Sequence, residues 1–225
     1  MARHRLHRNK RWLIQSLVAA ALTVSGLVVA STPAQALDPN APIMTGRAFA
    51  LSTNGLLRLG PVADTGFISG QGDFTVQKCV LPVHVGLLVT VQGICSNVSM
   101  AVPPTSPVAG VSAGASVANV TIALPGLPVI ALRSVSAAAG TGCGGSNGNT
   151  EIGFLKIGTK TVISNLIKPA PNTVINLLGI KLILNEQINS PHGLIVNGVD
   201  LSIGGTLNVL VGSATANIAN CDSLG

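Results

Sequence analysis

The chain has 225 residues, of which 47% are hydrophobic and 9% charged, and its formal net charge is +6. Five of its thirteen basic residues lie among the first eleven residues, so beyond residue 36 there remain 13 − 5 = 8 basic residues against 7 acidic ones. This balance excludes the basic surface that nucleic-acid binding requires. Beyond residue 36 there is also no Tyr or Trp, which argues against ligand platforms built from stacked aromatic rings.

The first 36 residues have the three parts of a secretory signal peptide. A basic opening without acidic residues reaches Arg11, an apolar run covers 12–30, and Ser-Thr-Pro-Ala-Gln-Ala ends at Ala36. We predict a helical signal peptide over 1–36, cleaved after Ala36, and a single secreted domain over 37–225. An uncleaved anchor is the alternative, because the apolar run approaches the roughly 20 residues of a membrane span.

The remainder of the chain predicts an all-β fold. Short runs of Val, Ile, Leu and Thr are separated by Gly, Pro, Asn and Ser, which is typical of sandwiches and barrels. We expect an antiparallel β-sandwich or a barrel-like fold of the Greek-key type. Gly204-Gly205 predicts a tight hairpin turn, and the glycine-rich stretch 139–149 predicts a surface loop. The predicted strands are 45–52, 56–59, 73–80, 83–91, 94–101, 112–123, 129–137, 150–157, 173–177, 180–188, 193–203 and 206–216.

Side-chain alternation is clear in the predicted strand 193–203. A period of two places Leu194, Val196, Gly198 and Asp200 on one face of this strand, and Ile195, Asn197, Val199, Leu201 and Ile203 on the other.

Four cysteines follow the predicted cleavage site: Cys79, Cys95, Cys143 and Cys221. An even number in an exported chain predicts two disulfides, for which three pairings are possible. We favour Cys79–Cys95, local to one hairpin, and Cys143–Cys221, which would tie the glycine-rich stretch to the C-terminal end. None of the cysteines is spaced as C-x-x-C, so zinc binding and thioredoxin-type redox chemistry are not expected.

Several short motifs resemble those of a known family and follow one another in the same order. They are Gly-Arg-Ala-Phe-Ala-Leu-Ser at 46–52, Ser-Val-Ala-Asn-Val at 116–120, Pro-Asn-Thr-Val-Ile at 171–175, Leu-Asn-Glu-Gln at 184–187, Ile-Val-Asn-Gly-Val at 195–199 and Val-Leu-Val-Gly-Ser-Ala at 209–214. With these motifs the chain resembles the choice-of-anchor P family of secreted actinobacterial proteins of unknown function. The resemblance implies a secreted β-rich domain at the cell surface and implies no catalytic residues. Unlike anchored members, the chain shows no sorting motif after Asn220, so we expect release or non-covalent retention.

Nucleophilic catalysis would need a histidine within reach of a Ser or a Cys. Beyond residue 36 the histidines are His84 and His192. His84 alternates with Val83 and Val85, which predicts a solvent-facing position on a strand. His192 lies in Ser-Pro-His-Gly, which predicts a turn. Since no G-x-S-x-G motif surrounds a serine either, a hydrolase triad is not expected.

Paired carboxylates could instead hydrolyse glycosidic bonds, and the weak catalytic candidates are Glu186, Glu151 and Asp200. Glu186 has the strongest pattern, because it shares a strand face with Leu182 and Leu184. A carboxylate on an apolar face must be hydrogen-bonded or paired. The structural alternative is that Glu186 accepts bonds from backbone N–H groups or caps a turn formed by its two neighbours.

Calcium binding is not predicted, although Asp64, Asp73 and Asp200 lie near turns, because no D-x-D-x-D-G loop is present. We therefore expect neither a metal nor a cofactor. The sequence favours a secreted structural or interaction domain without catalytic activity, extracellular or loosely associated with the cell wall. Its expected partner is a component of the cell envelope or a surface protein, with no nucleic acid and no membrane span in the mature chain. The alternative is a secreted hydrolase that acts on a cell-wall polymer through its carboxylates.

Overall fold

The computed structural model describes residues 38–221, except residue 39, residues 86–87 and residues 104–108. The predicted signal peptide, 1–36, lies outside the described residues. Two seven-stranded antiparallel sheets pack against each other, so the prediction of an all-β sandwich is confirmed. In the described part of the chain, no helix has the length and apolar character needed to cross a membrane.

The described residues form fourteen strands. Their bounds in chain order are β1 (Ile43–Gly55), β2 (Leu59–Val62), β3 (Ile68–Gly70), β4 (Phe74–Val80), β5 (Val83–Val85), β6 (Val89–Ala101), β7 (Gly110–Ile122), β8 (Ile130–Gly142), β9 (Gly145–Ile157), β10 (Lys160–Ile163), β11 (Thr173–Leu177), β12 (Ile180–Ser190), β13 (Gly193–Ile203) and β14 (Leu207–Ala219). Sheet A has the order β11-β12-β13-β14-β1-β2, with β3 also paired to β1, and sheet B has the order β10-β9-β8-β7-β6-β4, with β5 also paired to β6. Most neighbours are consecutive in the chain. The connections are therefore those of meanders, simpler than the predicted Greek-key type.

Most differences from the predicted strands occur at glycines. The sequence predicts strands on either side of Gly93, whereas β6 continues through this residue. The glycine-rich stretch 139–149 is not a loop, because β8 and β9 remain paired up to Gly142 and Gly145. The predicted strand 56–59 is mostly the turn before β2, and β3 and β10 have no counterpart in the prediction. Glycine weakens a strand, but pairing with neighbours on both sides holds these segments in the sheets.

All eight long strands contain one extra residue at the same level of the sandwich. The register of each strand pair omits a position there, and the alternation of buried and exposed side chains shifts by one residue. We call this level the crease; it consists of Ala50, Gly93, Ala118, Ser134, Gly153, Asn185, Gly198 and Gly212. Its backbone φ is positive on alternate strands, at Gly93, Ser134, Asn185 and Gly212. Both strands of each pair skip one position, so the register is the same on either side of the crease, which crosses both sheets as a continuous row.

The crease explains why strict alternation fails in β13. Leu194, Val196, Val199 and Leu201 are all buried in the space between the sheets, although a period of two places them on opposite faces. The extra residue at Gly198 turns the side chains of Val199 and Leu201 back toward the space between the sheets. The predicted alternation therefore holds on each side of Gly198 and fails across it.

The crease also separates two cores with different side chains. On one side, the aliphatic half, only two of twenty-five buried residues are alanines and the rest are Leu, Ile and Val. On the other side, the alanine half, eight of fifteen are alanines. Small side chains let the two sheets approach closely there, and glycines face the opposite sheet. A Cβ at Gly148 would overlap the side chains of Leu194 and Val196, and a Cβ at Gly46 would overlap Val98.

Both favoured disulfides are confirmed. Cys79–Cys95 joins directly paired residues of β4 and β6. Cys143–Cys221 joins the β8–β9 turn to the residues that follow β14, and so ties sheet B to sheet A at the alanine half. The described residues contain no free cysteine.

Candidate functional site

A row of polar side chains crosses sheet A next to the crease. Glu186, Asn197 and Ser213 are paired side by side on β12, β13 and β14. The Asn197 Nδ2 donates a hydrogen bond to Glu186 Oε2 at 2.7 Å, and the Ser213 Oγ donates one to Asn197 Oδ1 at 2.8 Å. Asn197 and Ser213 are buried, whereas Glu186 is half-buried. We call these three residues the polar row.

The carboxylate of Glu186 lies on the outer face of sheet A. The side chain of the next residue, Gln187, faces sheet B, where its Nε2 donates to the carbonyl of Gly148 at 2.9 Å. Since neighbouring residues of a strand point to opposite faces, Glu186 points away from sheet B. Its hydrogen bond comes from the side-chain amide of Asn197 rather than from backbone N–H groups. The predicted backbone contacts of Glu186 are therefore replaced by a contact between side chains.

The two neighbours of Glu186 hold the edge of the sandwich together. Asn185 has a φ of +51° and donates from Nδ2 to the carbonyl of Pro169 at 2.8 Å. The backbone N–H of Gln187 donates to Asn172 Oδ1 at 2.9 Å. These bonds fasten β12 to the segment 164–172, which passes from sheet B to sheet A. In the motif Leu-Asn-Glu-Gln, the Asn and the Gln are structural, and Glu186 is the member available at the surface.

Asp200 and Glu186 lie on the neighbouring strands β13 and β12, three positions apart in the register of this pair. Partial burial raises the pKa of Asp200, repulsion from Glu186 raises it further, and Lys181 opposes both effects. Glu151 is separate from this pair, because it lies on β9 of sheet B and its Oε1 forms an ion pair with Lys168 Nζ at 2.9 Å. Of the three predicted candidates, the structure thus brings together Glu186 and Asp200 and leaves Glu151 apart.

A second cluster adjoins the polar row and was not found from the sequence. Arg47 binds Asp64 through two parallel hydrogen bonds of 3.0 and 2.8 Å, and its guanidinium lies over the rings of Phe49 and Phe67. Burial acts to raise the pKa of Asp64, but the hydrogen bonds from Arg47 and from the Gly66 N–H outweigh it and lower the pKa. The only signal in the sequence is the alternation of Arg47 and Phe49 in one motif, which does not reveal their partners.

The positions of the other predicted residues give no catalytic constellation. His84 is exposed on the short strand β5, and His192 is exposed in the β12–β13 turn, as predicted. Within the described residues no group of three His, Cys, Asp or Glu side chains could hold a metal ion. Asp64 is bound to Arg47, and Asp73 accepts a hydrogen bond from the N–H of Val102 at 2.8 Å.

The polar row lies on an open sheet face. A shallow depression of about 280 Å³ occurs elsewhere, on sheet B, and its lining contains no carboxylate: Ser99, Ala101, Ala109, Gly110, Val111, Ser112, Gly140, Thr141, Gly142 and Asn147. The paired carboxylates and this depression are therefore different places.

No protein-family model, curated protein or solved structure matches the chain. The resemblance to the choice-of-anchor P family stays a prediction from the short motifs.

Proposed function

We propose that this chain is a structural or interaction domain that works outside the cell, free or loosely associated with the cell wall, without catalytic activity. The observation that carries the proposal is the use of all four cysteines in two disulfides. Disulfides form and persist in oxidising compartments. This agrees with the signal peptide that the sequence predicts.

The chemistry of the polar row supports a role without catalysis. The Ser213 hydroxyl donates to an amide oxygen, which is not a base that could activate it. The Asn197 amide has its oxygen and its nitrogen engaged at once, one with Ser213 and one with Glu186. Such a ladder links three neighbouring strands on the outer face of sheet A, which suits a structural role.

Fractionation of the cells that produce the protein tests this proposal. Culture supernatant, salt wash, detergent extract and wall residue are blotted, with a cytosolic protein as the control for lysis. We expect the protein in the culture supernatant, the salt wash or the detergent extract, with both disulfides intact by mass spectrometry. Retention in the cytosol with reduced cysteines would contradict the proposal.

A secreted hydrolase is the second candidate, and one observation favours it. Glu186 and Asp200 interact, and the raised pKa of Asp200 is the kind of perturbation that separates an acid from a base in paired carboxylates. Hydrolysis of wall polymers by the purified chain should then disappear in Glu186→Gln and in Asp200→Asn, while Glu151→Gln, on the other sheet, keeps it. Activity absent from the unmodified chain, or lost equally in all three variants, would remove this candidate.

A further inference from the structure

One end of the sandwich carries turns with an unusual composition. Neighbouring strands are antiparallel, and the aliphatic halves of both sheets share one core. The β1–β2, β7–β8, β9–β10, β11–β12 and β13–β14 turns therefore lie at the same end. We call this the aliphatic end.

Leucines stand at the tips of these turns. Leu56 and Leu178 are 76% and 65% exposed, and the β7–β8 turn adds the exposed side chains of Leu127 and Val129. Gly, Pro, Asn, Asp and Ser are the usual residues of tight turns. Apolar side chains that project into water from several separate turns together form an exposed apolar patch, and such patches mark interaction surfaces.

Leu178 occupies the first position of the β11–β12 turn, where leucine is an unusual residue. It forms a two-residue turn with Gly179, and both have positive φ, +54° and +75°. Asn, Asp or Gly is strongly preferred at the first position of such a turn. A leucine there has an unfavourable backbone conformation, and no core contact compensates it, because the side chain is exposed.

Basic residues surround these leucines. Arg58, Lys156, Lys160 and Lys181 lie in the same turns or within two residues of them, and no Asp or Glu does. None of the four forms a salt bridge among the described residues. At the opposite end of the sandwich, the turns described carry Asp38, Asp73 and His192 and no comparable leucines.

We propose that the aliphatic end docks on an anionic phospholipid bilayer, with the leucine tips in the interface and the basic residues on the headgroups. Apolar side chains combined with Lys and Arg are the composition that binds such interfaces. A second copy fits less well, because two aliphatic ends would place four positive charges against four. This proposal rests on the location of the protein at the envelope proposed above and names the partner there.

Tryptophan fluorescence tests the proposal with matched probes. In the secreted chain purified after cleavage at Ala36, which contains no Trp, Leu178→Trp places a probe at the aliphatic end and His192→Trp places one at the opposite end. Vesicles of equal parts phosphatidylglycerol and phosphatidylcholine are compared with vesicles of phosphatidylcholine alone. We expect the emission of the Leu178→Trp chain to move to shorter wavelength with the anionic vesicles only and to return at high salt, while the His192→Trp chain stays unchanged.

A second measurement removes the leucines. The double change Leu56→Ser and Leu127→Ser should weaken co-sedimentation with the anionic vesicles by roughly tenfold or more, because binding scales with buried apolar area. The control is Leu166→Ser, which replaces an exposed leucine on the side of the sandwich. A Leu178→Trp chain that fails to form both disulfides is replaced by Leu56→Trp.

Three results would overturn the proposal: equal shifts at the two probes, no shift with anionic vesicles, or a shift that grows with protein concentration without vesicles, which would indicate a second copy. The vesicle experiment uses purified protein and so does not depend on location in the cell. Retention of the protein at the envelope without binding to vesicles would contradict this inference but not the proposed function.

Discussion

The aliphatic half and the alanine half of the sandwich use the same strands in different ways. In the aliphatic half, Leu, Ile and Val fill the space between the sheets. In the alanine half, the sheets meet through alanines and glycines, and the buried Thr141 Oγ1 donates to the carbonyl of Ala216 on the other sheet at 2.9 Å. Side-chain size thus sets the distance between the sheets, and the crease lets one strand serve both distances. The aliphatic half, which is the thick half, gains its stability from the burial of apolar side chains. The alanine half, which we call the thin half, depends on close packing and on a disulfide.

The largest expected effect comes from the disulfide that closes the thin half. Cys143–Cys221 spans 78 residues and Cys79–Cys95 spans 16. In the loop-entropy model, replacing both cysteines by serine should cost about 4.5 kcal/mol for the first pair and about 3 kcal/mol for the second. Urea unfolding of the two double variants measures this. A larger loss for the Cys79–Cys95 pair would show that the thin half does not need its disulfide.

Overfilling the thin half should have the next largest effect. Ala137 is buried, and its Cβ lies 3.5 Å from where side chains on Gly198 and Gly212 would begin. Ala137→Leu should lower the free energy of unfolding by about 1–3 kcal/mol, since the sheets must separate to admit it. The exposed neighbour Ala138→Leu is the control. Equal stability of the two variants in thermal unfolding would mean that the sheets are not in close contact.

Removing either of two buried hydroxyls in the thin half should have a smaller effect on stability, and the two effects should have opposite signs. Thr150 Oγ1 has no hydrogen-bond partner among the described residues, whereas Thr141 Oγ1 bonds to Ala216. Thr150→Val should raise the free energy of unfolding by about 1 kcal/mol, and Thr141→Val should lower it by about the same amount, because only the second change breaks a bond. Loss of stability in both variants would contradict this assignment.

The smallest effects concern pH. The pKa of Asp64 lies below its ordinary value of 3.8, so its stabilisation is complete above pH 3.8 and is lost as the pH falls through the lower folded value. The pKa of Asp200 lies above 3.8, so its ionisation lowers stability as the pH rises through the higher folded value. At pH 7, Asp64→Asn should destabilise and Asp200→Asn should stabilise, each by roughly 0.5 kcal/mol because both groups are solvent-screened. Chemical unfolding at pH 7 and pH 3 should show both differences shrink in acid.

The sequence predicts the parts of this fold that depend on composition and local order. The sandwich follows from alternating runs and turns, and both disulfides follow from the number and placement of the cysteines. Turn chemistry also places His192 correctly. These features need no knowledge of which strands pair.

The crease and the site depend on pairing, which single-sequence patterns do not contain. Gly93 and Gly198 look like the glycines of turns, and only their alignment with skipped positions on neighbouring strands shows that they belong to the crease. The Arg47–Asp64 pair joins residues 17 positions apart, and its partners are set by the turn between β2 and β3. The proximity of Glu186 and Asp200 likewise depends on the register of β12 against β13.

The central claim is that the aliphatic end faces the envelope, and labelling on intact cells tests it most directly. Cells producing Leu178→Cys or His192→Cys are treated with a membrane-impermeant thiol reagent, and the labelled fraction of each chain is read by mass spectrometry. The account predicts that position 178 is protected on cells and becomes reactive after detergent release, while position 192 reacts in both conditions. Equal labelling of the two positions on intact cells would contradict it.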